Sequence, residues 1–163
     1  MKVVPVKIRN VNVYPFQDME ELIDYTVDKK KLLLSLNAEI IMRAEGEVAD
    51  IINSNVGYAD GYGVVKAMYR KGEKELKRIP GCELWLELVK RYHSLKTFYL
   101  IGSTEDTICA TVKKLKELYP DINIVGYYQG NFRKRGFIGR CEGKEAGFCF
   151  RGNGIPNTRI VDV

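Results

Sequence analysis

Leu32 to Gly63, LLLSLNAEIIMRAEGEVADIINSNVGYADGYG, is the stretch whose reading decides the fold. Leu32, Leu33, Leu34 and Leu36 predict a buried strand, and Ile40, Ile41, Ala44, Val48, Ile51 and Ile52 fall on one face of a single following helix. A short strand then runs into Asp60-Gly61-Tyr62-Gly63. Both strands end in polar residues: Ser35 and Asn37 close the first, and Asp60 closes the second between neighbours too small to bury it. In open α/β sheets ligands bind at the carboxyl ends of strands, where the βα loops meet and the next helix offers free N–H groups. A carboxylate there is a candidate for catalysis or ligand binding; the plain alternative is a turn Asp among small residues.

Toward the N-terminus, Val6 and Ile8 alternate in one phase and Val11 and Val13 in the other, which predicts a small hairpin or bulged strand ended by Pro15. Asp18 and Glu21 form a capping pair for a helix carrying Met19, Leu22, Ile23 and Val27, which runs to Lys29-Lys30-Lys31, cations suited to a helix C-terminus. Toward the C-terminus, Val64 to Lys71 continues as a helix stopped by Gly72, and the mixed charges up to Arg78 read as a solvated connection. Gly81 to His93 is helical, with Trp85 in core or interface and His93 as dipole partner or solvent residue. Thr97 to Ile101 is a buried strand, Thr104-Glu105-Asp106 opens a helix ended by Pro120, and Ile122 to Val125 is the next strand. This alternation predicts an α/β fold: a Rossmann-like, largely parallel sheet flanked by helices, with a small N-terminal β-hairpin. Two further strand ends carry small-residue loops, Gly102-Ser103-Thr104 and the run from Gly126 through Gln129 to Phe132, on which a nucleotide diphosphate would rest.

The chain has 163 residues, enough for one domain with a sizeable core, and its 45% hydrophobic and 29% charged residues place it among soluble globular proteins. The net charge of +5 is unevenly placed: residues 1–130 hold 19 basic against 18 acidic residues, and residues 131–163 hold 7 against 3. A basic nucleic-acid face on the folded body is therefore not expected. No apolar run reaches the length of a membrane span and Met1 to Pro5 has no signal-peptide core, so the expected location is the cytoplasm. Cys82, Cys109, Cys141 and Cys149 lack CxxC spacing and there is one histidine, His93, so free thiols are expected, and neither a metal nor a cofactor.

Read together, LSLNAEIIMRA, ADGYGVV, KRIPGCELW, FYLIGS and GYYQGNF resemble successive motifs of the WecG/TagA/CpsF glycosyltransferase family, over about residues 6 to 132. The resemblance implies inverting, metal-independent transfer of an N-acetylmannosamine-type sugar from a UDP-sugar donor to a polyprenyl-diphosphate-linked N-acetylglucosamine at the inner face of the membrane, in cell-surface polysaccharide or teichoic acid synthesis. By position it makes Asp60 the general base toward the acceptor hydroxyl. Ser35, where the family often has Thr, and Asn37 would hydrogen-bond donor or acceptor, and Arg78 would neutralise the diphosphate. Gly61, Gly63, Gly102, Ser103 and Gln129 complete the expected substrate-binding set. Cys82 and Glu83 stand where many members have Ser and Asp. Two rival readings are a non-catalytic nucleotide- or sugar-binding module of the same fold, and an interaction protein that forms homo-oligomers through an exposed sheet edge.

After Phe132 the resemblance ends. Residues 133–163, RKRGFIGRCEGKEAGFCFRGNGIPNTRIVDV, hold six of the 15 glycines and no helical or alternating pattern, which predicts a missing strand and an exposed apolar edge. The family continues instead with a helix, a buried strand and a loop like MGxPxQE. Reading each codon of the tail one base later permits EKEDLLEDVKERKPDFVFVAMG, then F or S, P, I or T, and QELLM. A single-base frameshift near Phe132 or Arg133 is the resulting expectation, dividing the chain into a catalytic-type domain, 1–132, and an altered tail with low or no turnover.

Overall fold

In the computed structural model, which describes residues 3–27, 29, 31–130, 147–153 and 155–161, the chain divides into two units, 1–84 and 85–163. In the first, Val6–Ile8 (β1) and Val11–Val13 (β2) pair antiparallel, so the N-terminal run is a hairpin. Its tight turn puts Arg9 at φ +54°. Helix α1 (Met19–Thr26) starts at Asp18, whose side chain accepts from the Glu21 N–H, while the Glu21 carboxylate accepts from the Gln17 N–H. It ends at Thr26 with no basic residue in its last turn, so Lys29 and Lys31 lie beyond it. Lys29 Nζ lies 3.0 Å from the Tyr25 ring centroid and Lys31 Nζ donates to Ser54 O.

Leu32–Leu36 (β3) and Val56–Ala59 (β4) are parallel, with Ser35 opposite Tyr58 and Leu36 opposite Ala59. The single helix expected between them is two, α2 (Ala38–Arg43) and α3 (Gly46–Asn53). Ala44 is extended and Gly46 has φ +51°, a conformation that favours glycine, so the helical phase restarts there. The restart turns Val48 and Ile51 outward, 52% and 41% exposed, and keeps Ile41, Ala49 and Ile52 inside. Helix α4 (Tyr62–Arg70) packs Val64, Val65 and Met68 into the same core and ends where Gly72 takes φ +101°. Leu76 and Ile79 are also buried, so the segment before Pro80 is anchored rather than merely solvated.

Helix α5 (Gly81–Tyr92) contains the division between the units. In the second unit, Thr97–Gly102 (β5) leads through α6 (Glu105–Leu118) to Asn123–Tyr128 (β6), which pairs parallel with β5. Strand β6 runs to Tyr128 instead of stopping at Val125, so the loop begins at Gln129. Phe148–Asn153 (β7) lies parallel on the other side of β5, and Ile155–Val161 (β8) pairs antiparallel with β7. The tail thus supplies strands where none was expected, and β5 has a partner on each side. Phe148, Cys149 and Phe150 are buried; the Phe98 ring centroid lies 5.7 and 5.8 Å from those of Phe148 and Phe150, and half-buried Trp85 meets Phe150 edge-on. The apolar segment is only three residues long, too short to show a period, and its strand character comes from pairing with β5. His93 stacks on Tyr119 with its Nδ1 4.0 Å from the Asp121 carboxylate. The stretch 131–146, which holds the Phe132 boundary and Cys141, lies outside the described residues.

Candidate active site

Asp60 follows the last residue of β4 and is 5% exposed, so the expectation that its small neighbours leave it open is corrected. Three other segments bury it. From the end of β3, Ser35 Oγ donates to Asp60 Oδ2 at 2.5 Å, the short separation of a hydroxyl on a carboxylate. From the segment before α5, Arg78 donates through Nε to the Asp60 carbonyl and through Nη2 to Oδ1 at 3.4 Å. From the first turn of α5, the Gly81 N–H points at Oδ2 at 3.4 Å. A helix-start N–H, a hydroxyl and a guanidinium thus all point their protons at one carboxylate.

Local chain logic places each group. The Asp60 and Gly61 N–H groups both donate to Leu36 O, which ties the two strand ends together. The Ile79 N–H donates to Ala59 O at 2.9 Å and the Lys77 N–H to Phe16 O at 3.3 Å, so Arg78 is gripped on either side with its head at Asp60. Pro80 then starts α5, its carbonyl accepting from Glu83 and Leu84. Asn37 is the N-cap of α2, with Oδ1 accepting from the Ile40 N–H at 2.9 Å. A Cβ on Gly61 would meet the Asn37 backbone at 3.4 Å and one on Gly63 the Ala38 Cβ at 3.4 Å, ordinary contact distances that place the two loops side by side. Tyr62 is 75% exposed, and the Arg78 guanidinium lies 5.5 Å above its ring.

The structure therefore brings together Ser35, Asn37, Asp60, Gly61, Gly63 and Arg78. Gly102, Ser103 and Gln129 form a separate group in the second unit. There Gly102 has φ +149° and Ser103 φ +58°, and the Gly130 N–H donates to Ser103 O at 2.8 Å. A Cβ on Gly130 would lie 2.8 Å from Gly102 Cα, so the loops after β5 and β6 touch backbone to backbone. Sequence reasoning missed the Gly81 N–H on Asp60 and the buried Tyr58 across the register from Ser35. Pro80-Gly81 before an apolar helix signals a helix start, and hence a free N–H, but Tyr58 has no local signature. Among the described residues no three His, Cys, Asp or Glu gather as a metal site, and no helix is long and apolar enough to cross a membrane.

Parallel strands ending in a buried, oriented carboxylate define a class of α/β protein whose ligand sits over the strand ends. The model of the WecG/TagA/CpsF glycosyl transferase family matches residues 1–160, and the chain belongs to that family. The match takes in part of the tail, residues 133–160, as well as the body. Membership identifies a transferase fold devoted to moving a sugar from a donor to an acceptor in polysaccharide synthesis.

Proposed function

We propose that this chain is built to transfer an N-acetylhexosamine of the N-acetylmannosamine type from a UDP-sugar to a polyprenyl-diphosphate-linked N-acetylglucosamine, with inversion. One observation carries the reading: a buried carboxylate whose Oδ2 is held by Ser35 at 2.5 Å and Gly81 at 3.4 Å, and whose Oδ1, among the described residues, meets Arg78 alone, at 3.4 Å. Oδ1 is the better placed oxygen to take a proton. As the acceptor hydroxyl attacks the anomeric carbon, its proton passes to Asp60, the new C–O bond forms, and the bond from carbon to the diphosphate oxygen breaks to release UDP. Arg78 has a side chain 39% exposed and guanidinium N–H groups beyond those on Asp60, so it serves the carboxylate and the departing diphosphate together. The lipid-linked acceptor brings the protein to the inner membrane face.

The proposal extends to the tail, which we read as the product of a single-base frameshift. Its support is positional. The shifted frame gives DFVF where this chain has Gly147-Phe148-Cys149-Phe150, so the apolar centre of β7 reads as a strand in either frame. Beyond it the frames diverge, and MGxPxQE is replaced by the sequence from Asn153 to Arg159. Determining the gene's nucleotide sequence checks this, and codons that forbid the shifted reading remove it.

The test of function is thermal unfolding of this chain and of a frame-restored chain, each with and without UDP, followed by transfer assays on a lipid-linked acceptor. A ligand in hundredfold excess over its Kd stabilises by about 2.7 kcal/mol. We expect the restored chain to bind UDP and transfer sugar, and Asp60→Asn to bind but not transfer. UDP binding without transfer by the restored chain, given its acceptor, would establish the binding-module reading instead.

A further inference from the structure

The site holds one buried polar group that this chemistry leaves unused. Tyr58 is fully buried and its hydroxyl has no hydrogen-bond partner among the described residues. It stands directly across the β3–β4 register from Ser35 and two residues before Asp60, so alternation puts Tyr58 and Ser35 on one face beside the carboxylate. Burial, and then the charge of Asp60, push the Tyr58 pKa far up, and the Ser35 hydroxyl works against that shift. The phenol therefore keeps its proton and has one to donate. Ser35 gives its own proton to Asp60 Oδ2, which leaves the lone pairs of its oxygen as acceptors.

We propose that Tyr58 is a positioning residue whose hydroxyl donates to Ser35 Oγ, closing a chain from Tyr58 through Ser35 to Asp60. That bond ends the isolation of a buried hydroxyl. A donor on Ser35 Oγ polarises its O–H toward the carboxylate, so the two bonds strengthen each other. The chain pins Oδ2 and leaves Oδ1 as the oxygen that meets the acceptor. The inference rests on Asp60 as the base and adds a residue that holds it; it is independent of the sugar transferred.

The experiment is a double-mutant cycle on this chain: Tyr58→Phe, Ser35→Ala and both together, with Ser35→Thr as the variant that retains a hydroxyl. Thermal midpoints are measured together with the side-chain carboxylate 13C resonance of Asp60 at neutral pH. Phenylalanine differs from tyrosine by the hydroxyl alone, so the fold is kept. Tyr58→Phe should lower the midpoint by a few degrees and move the Asp60 resonance when Ser35 or its Thr variant is present, and do neither in the Ser35→Ala background. Equal effects in both backgrounds, or a midpoint that rises or stays fixed with an unmoved resonance, would overturn the proposal and leave Tyr58 as packing alone. No readout depends on turnover. Failure of the frame-restored chain to transfer sugar would sink the functional reading and still leave an answer here.

Discussion

After β3 and β4 the chain presents side chains: a buried serine hydroxyl and a buried carboxylate bonded to each other, and a partly exposed guanidinium on the carboxylate. After β5 and β6 it presents backbone: Gly102 and Ser103 at positive φ, and Gly130 pressed against them. The first arrangement holds a charge in a defined direction, which requires partners, because an unpaired buried charge is costly. The second holds a shape, which requires the absence of a side chain. The first offers a carboxylate that can take a proton, and the second a backbone surface free of side chains at Gly102 and Gly130.

Breaking the first arrangement at its centre has the largest effect. Asp60→Asn keeps the volume and removes the base, so transfer by the frame-restored chain falls about 10²–10⁴-fold while UDP binding, read by calorimetry, persists. Removing the cation comes next. Arg78→Ala leaves Asp60 Oδ1 without its donor at 3.4 Å and costs about 1–3 kcal/mol, read as a lower midpoint in urea. The second arrangement breaks through volume. Gly130→Ala places a Cβ 2.8 Å from Gly102 Cα and costs about 1–3 kcal/mol by overpacking. It is sharpened by the opposite change: Ser103→Gly relieves φ +58° and stabilises by about 0.5 kcal/mol, which differential calorimetry resolves. A surface pair gives the scale below both. Glu87 accepts from Arg91 Nε at 2.8 Å, and that bond, more than the nearby Lys90, lowers its pKa. A lowered carboxylate pKa stabilises the fold above the ordinary value of 4.5, and the contribution is lost as pH falls through the lowered one. Glu87→Gln should therefore differ from the unmodified chain by only about 0.3–0.5 kcal/mol at neutral pH, and by less in acid.

The features legible in the sequence share a physical basis. Leu32 to Leu36, Thr97 to Ile101 and the Thr104 helix start declare themselves by local pattern, and Asp60 declares itself by following an apolar strand into glycines. What escaped depends on partners distant in sequence. Asp60 is buried by Arg78, 18 residues away, and by Gly81, 21 residues away, and no local rule foresees that closure. The α2–α3 break hid because Ile40, Ile41, Ala44, Val48, Ile51 and Ile52 satisfy one helical period, while Gly46 shows its left-handed φ only in three dimensions. The Tyr58 and Ser35 pairing needs the β3–β4 register, which composition does not encode. Strand β7 was hidden by its brevity, since two phenylalanines around a cysteine carry no period until β5 supplies a neighbour.

The closeness of Gly130 to Gly102 bears on how copies of this gene diverge. A lineage that abandoned catalysis would be released from keeping Asp60, since asparagine fits the same space. It would not be released from keeping Gly130, because any Cβ there collides with backbone whether or not a substrate ever arrives. Among diverging descendants the glycine should outlast the aspartate. Its retention records only that the fold still closes, whereas the fate of Asp60, the proposed base, would date the loss of the reaction.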